Sequence, residues 1–101
     1  MPALRAHAVR WVSDDPVPGW VEVEFVDADG VRRVLSDKPS IFGADIRPDS
    51  PYPVEVLVAC EVLDPADEDG RVFITTDRPW GTSTAEGRTE FVVLEDQLVC
   101  G

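Results

Sequence analysis

Asparagine is absent from this chain, and lysine and histidine occur once each, as Lys38 and His7. A single histidine leaves Ser-His or Cys-His catalysis with one possible base, and Cys60 would meet it only if the opening strand neighboured its own. Cysteine is also scarce. Cys60 and Cys100 lack C-x-x-C spacing and share no ligand spacing with His7, so neither a redox pair nor a tetrahedral zinc pattern is present. No Walker loop and no G-x-G-x-x-G occurs. No window approaches the ~20 apolar residues of a membrane helix. The stretch that holds His7, Arg10 and Trp11 has no apolar run of signal-peptide length, and Val99-Cys100-Gly101 is not a lipidation pattern. The chain therefore reads as cytoplasmic, with reduced thiols: Cys60 buried and inert, Cys100 the first to react. Positive charge is the last shortage. Nine Lys+Arg against 20 Asp+Glu give a net charge of −11, a field that repels phosphate backbones and disfavours direct nucleic-acid binding.

What is present is one small domain's worth of strands. A chain of 101 residues buries roughly 65% of its extended surface on folding, enough for one core without metal or disulfide staples. Val21, Val23 and Phe25 alternate with Glu22 and Glu24, which predicts a strand with one face in the core and one in water. Asp27-Ala28-Asp29-Gly30 turns it into a hairpin with Val31 to Leu35. A second hairpin runs from Val54 to Leu63, through Asp64 to Gly70, and back along Arg71 to Thr76. Its first arm is apolar on both faces around Leu57 to Cys60, as where a strand crosses a barrel or lies under a loop. Leu4 to Val12 and Thr89 to Leu94 add two strands, and the proline-rich stretch from Lys38 to Pro53 predicts a loop with one short edge strand. Glu95 to Val99 forms a helical turn or carries the last strand onward. About six or seven short strands indicate a small closed or nearly closed antiparallel barrel, with a β-sandwich as the alternative.

No metal or cofactor site is assigned. Both acidic turns resemble part of a calcium loop, but aligning each Gly with its sixth position puts Phe25 or Pro65 at the first ligand and Ser36 or Thr76 at the twelfth. They read as hairpin turns.

The unusual segment is Asp77-Arg78-Pro79-Trp80-Gly81, followed by Ser83 to Gly87. Trp80 lies off any strand period. It either stands exposed beside Arg78 as a binding anchor or folds back over an open end of the core while Arg78 stacks on it or pairs with an acid. The Arg78-Pro79-Trp80-Gly81 motif, the run Ser83-Thr84-Ala85-Glu86-Gly87-Arg88-Thr89-Glu90-Phe91 and the opening Gly19-Trp20-Val21-Glu22-Val23 together resemble a group of small uncharacterised bacterial all-β proteins. The resemblance covers nearly the whole chain and implies no activity. The expected barrel is also similar, in architecture alone, to the second domain of elongation-factor-type GTPases.

These features point to a noncatalytic acidic module that docks on a basic protein partner, as an immunity protein or a charge mimic would, with Arg78, Trp80 and Glu86 as the partner-binding residues. The alternative is a barrel that binds a small ligand or hydrolyses one with loop carboxylates. Simple solubility is a third account of the charge.

Overall fold

A computed structural model of the chain describes residues 2–14, 19–42 and 46–100, apart from the Cys100 side chain. The described residues form eight strands: β1 (Pro2–Ser13), β2 (Trp20–Val26), β3 (Arg32–Asp37), β4 (Val54–Ala59), β5 (Glu61–Asp64), β6 (Arg71–Thr75), β7 (Glu90–Leu94) and β8 (Leu98–Cys100). Among the described residues the only helices are 3-10 turns at Pro39–Phe42 and Glu95–Gln97, and none is long and apolar enough to cross a membrane.

The strands form two antiparallel sheets. One has the order β3-β2-β1-β4 with β8 also on β1; the other has the order β5-β6-β7. Neither closes on itself, so the sandwich alternative fits and the closed barrel is not what the strand pairing shows. The reason lies at Cys60. The predicted arm from Val54 to Leu63 is two strands: Val54–Ala59 pairs with β1, whereas Glu61–Asp64 pairs with β6. At the break the Cys60 amide still donates to the Pro2 carbonyl at 3.1 Å, one step further in the β1–β4 register, but Pro2 has no N–H to return and the next residue, Glu61, pairs with β6 instead. One segment thus serves both sheets, a corner familiar where packed sheets exchange a strand.

Periodicity of two decides what faces inward. Leu4, Ala6 and Ala8 of β1, Val21, Val23 and Phe25 of β2, and Val56 and Val58 of β4 meet Val72 and Ile74 of β6 and Phe91 and Val93 of β7 in one shared core. The Phe25 and Phe91 rings meet edge-to-face, centroids 5.2 Å apart, across the two sheets. Leu57 departs from expectation: it lies on the outward face of β4 and is 42% exposed among the described residues. The proline-rich connection also differs, since its described part contains no strand. Pro39, whose fixed φ suits the first position of a helical turn, starts the 3-10 segment, and Phe42 at its end is fully buried.

Both acidic hairpin turns share one local structure. In the first, the Asp27 carboxylate accepts from the amides of Asp29 and Val31 at 2.9 and 3.0 Å. In the second, Asp67 accepts from Asp69 and Arg71 at the same distances. The carboxylates are spent on backbone amides, as in Asx turns, and positive-φ glycines, Gly30 and Gly70, complete the turns. Arg71 then pairs with Asp29, and the Ala28 amide donates to the Val92 carbonyl at 2.9 Å, which ties the first turn to the second sheet.

Candidate functional site

The connection from β6 to β7 is built as two turns on a common base. Its base is sewn to both sheets. Thr76 donates its amide to Thr89 and its hydroxyl to the Thr82 carbonyl, and the buried Thr82 hydroxyl donates to the buried Asp37 carboxylate at 3.1 Å. Ser83 bridges to Ser36 of β3. The first turn closes with the Gly81 amide on the Asp77 carbonyl at 2.8 Å, and the Asp77 amide is held by the Thr75 hydroxyl. The Arg78–Pro79 peptide bond within it is cis. The second turn closes with Gly87 on Thr84, whose hydroxyl also accepts the Arg88 amide.

Trp80 stands on the first turn with 58% of its surface exposed, the most exposed large apolar side chain among the described residues. Of the two arrangements open from sequence, exposure therefore applies to Trp80 and pairing with an acid to Arg78. Its guanidinium lies 3.3 Å from the Glu61 carboxylate of β5, with both groups about half exposed. Such a pair fixes orientation more than stability. Glu86 belongs to the second turn. Its carboxyl is held below the usual range by a hydrogen bond from the Thr84 side chain, with smaller contributions from its own backbone amide and the charge of Arg33. Arg78 and Trp80 thus share one turn, while Glu86 faces a shallow cleft against β3.

Cys60 and His7 are not brought together. β1 does neighbour β4, but His7 points outward, opposite Glu55, whereas Cys60 is fully buried. Burial pushes the Cys60 thiol up to about 11, and its sulfur lies 3.8 Å from the Pro2 carbonyl. Cys60 is accordingly expected to resist an alkylating reagent at pH 8 in native protein and to react once urea unfolds the chain. Mass spectrometry of the labelled peptides reads this, and rapid native labelling of Cys60 would contradict the buried position. The expectation for Cys100 lies outside the described residues.

A second feature escaped the sequence reading. β2 pairs with β1 from His7 to Ser13, and β8 pairs with β1 from Pro2 to Leu4, both on the side opposite β4. Arg5 and Ala6 therefore have β4 on one side and, among the described residues, no strand on the other. A cleft of about 400 Å³ opens at this gap, lined by Arg5, His7, Glu24, Val26, Asp96 and Gln97 among others. Arg5 and His7 at i and i+2 were visible as the polar face of one strand. Asp96 was not, because only the pairing of β8 with β1 brings it near.

Comparison with family models, with curated proteins and with solved structures finds no match to this chain.

Proposed function

We propose that the protein is a noncatalytic interaction module that docks on a basic protein partner through the Trp80 turn. The observation that carries this reading is an exposed tryptophan on a turn whose base is hydrogen-bonded to both sheets. An aromatic anchor held this way loses little conformational freedom on binding, and tryptophan is the side chain most enriched at binding hot spots. A flat indole face also suits a partner's arginine or lysine. The net charge of −11 supplies a field that attracts a basic surface and speeds encounter. Glu61 offsets Arg78, the nearest positive group along the chain, and Glu86 on the adjoining turn adds a carboxylate kept ionised.

Trp80→Ala tests the assignment. Because the ring is mostly exposed, the folded state is expected to change by no more than about 0.5 kcal/mol. Affinity for a basic partner captured from a lysate of the source cells is expected to fall by about 2 kcal/mol or more, roughly thirtyfold. Retention of that partner by the parent protein is expected to weaken as salt rises, since screening acts against opposite charges. Equal retention by Trp80→Ala would show that this turn is not the docking site, and retention indifferent to salt would show that the acidic surface is not part of it.

A further inference from the structure

We propose that the cleft at the gap in the β1 ladder binds a small zwitterion of the α-amino-acid class, with its carboxylate on Arg5, its ammonium on Asp96 and its apolar body on Val26. This site is independent of the Trp80 turn.

The first ground is the pattern of ion pairs. Arg10 is paired with Glu22, Arg32 with Glu24, Arg33 with Asp27, Arg71 with Asp29 and Arg78 with Glu61. Arg88 donates to the Glu90 carbonyl and lies over the Phe91 ring. Arg5 is the one described arginine whose side chain makes no ion pair, hydrogen bond or ring contact, in a chain whose acids outnumber its bases 20 to 9. The sheet accounts for this. Arg10 has Glu22 directly across from it on β2, whereas Arg5 has Leu57 on β4 and the gap on its other side. The Asp96 side chain across the gap likewise has neither an ion pair nor a hydrogen bond among the described residues. Both line the same cleft, yet they stand farther apart than an ion pair. Opposite charges held apart in one recess leave space for a ligand that carries both.

The second ground is rigidity. Gln97 accepts the Leu94 amide at 2.8 Å and donates to the Val26 carbonyl at 2.7 Å. These two bonds clamp the Glu95–Gln97 turn, and Asp96 with it, against the end of β2, so the wall facing Arg5 is set before a ligand arrives. Preorganisation of this kind lowers the cost of binding. The third ground is the composition of the cleft. Val26 is 52% exposed and Phe25 lies beneath, which supplies apolar surface beside the charges. A volume of about 400 Å³ is at the small end of ligand pockets and suits an amino acid better than a nucleotide. An anion without an ammonium would face Asp96 and Glu24, and a cation without a carboxylate would face Arg5 and Arg32. A molecule bearing both charges meets neither penalty.

The experiment is a chemical-shift titration of the protein with L-phenylalanine, L-leucine, 3-phenylpropionate and phenethylamine. At least one amino acid is expected to shift the amides of Arg5, Val26 and Gln97 saturably, with a Kd in the millimolar range or tighter at ligand up to about 10 mM. Phenylpropionate and phenethylamine, each lacking one charge, are expected to bind at least about tenfold more weakly than phenylalanine. Arg5→Gln and Asp96→Asn are each expected to weaken amino-acid binding by a similar factor while leaving the melting curve in place, because both side chains are exposed. The half-ligand arms use the parent protein and stand even if a variant folds poorly. The proposal is overturned if neither amino acid gives a saturable shift, if a singly charged analogue binds as tightly as phenylalanine, or if both variants bind as the parent does.

Discussion

Phe91→Ala is expected to remove about 3–5 kcal/mol of folding stability. The ring is fully buried on β7 and meets Phe25 of β2 edge-to-face, at 5.2 Å and 88°, so it is shared by the two sheets. Truncation removes the transfer free energy of the ring and leaves a cavity. Backbone pairing on either side limits collapse into it: β7 is tied to β6 along its length, and β2 lies between β1 and β3. A small domain is stable by about 5–15 kcal/mol in all, so the loss brings this one near its unfolding threshold. Urea denaturation measures the effect as a lower midpoint at nearly unchanged slope. A double-mutant cycle with Phe25→Ala should give a coupling of about 0.5–1.5 kcal/mol, the range for aromatic pairs. A loss below about 1 kcal/mol would mean that the two sheets do not share this core.

Regions where the chain reports its own environment were legible from sequence. The alternation in Val21-Glu22-Val23-Glu24-Phe25 fixed both the strand and its inward face, and the two Asp-x-Asp-Gly turns appear where a carboxylate can cap its own hairpin. What could not be read was decided at a distance. Nothing in the apolar run Leu57 to Cys60 marks the change of partner after it, from β1 at the start of the chain to β6. The same run suggested burial for Leu57, but apolar character on both faces of a strand does not say which face another layer covers. Burial of Phe42 depends on a 3-10 segment that alternation cannot detect. For Trp80 the sequence left two arrangements, and the choice follows from the Asp77–Gly81 turn being held at its base from Thr75. Half of the cleft was visible in Arg5 and His7. Its other wall arrives with β8 from the far end of the chain.

Asp27→Asn is expected to cost about 1.5–3 kcal/mol near neutral pH, the range for hydrogen bonds to charged groups, and the difference should close as the solution is acidified. Asp27 is buried in the first hairpin turn, where one carboxylate oxygen accepts the Asp29 and Val31 amides and the other accepts Arg33 Nε at 2.9 Å. Burial alone would raise its pKa. The Val31 amide, the Arg33 side chain and the Asp29 amide outweigh that effect, and the carboxyl is held below its ordinary value. An asparagine oxygen can keep both amides, but its NH2 group then faces the Arg33 donor, so the substitution removes the ion pair and sets donor against donor. For a group whose folded pKa lies below its unfolded value, the stabilisation is complete above the unfolded pKa, about 3.9 for aspartate, and is lost as pH falls through the folded pKa. The gap between parent and variant should therefore be constant from about pH 7 to pH 5 and shrink below about pH 4. Asp67 and Glu86 also have lowered pKa values, but both proteins carry them and they cancel in the difference. Asp67→Asn is the matched control, since that turn has the same two amide bonds on an exposed carboxylate with no arginine side chain hydrogen-bonded to it. Its effect should be the smaller of the two. Thermal melts of the three proteins across this pH range decide the point: at about 4–8 °C per kcal/mol for a domain of this size, the parent should melt some 10 °C above Asp27→Asn at neutral pH. A gap that persists unchanged to about pH 3 would assign the stabilisation to the shape of the turn and not to the charge of Asp27.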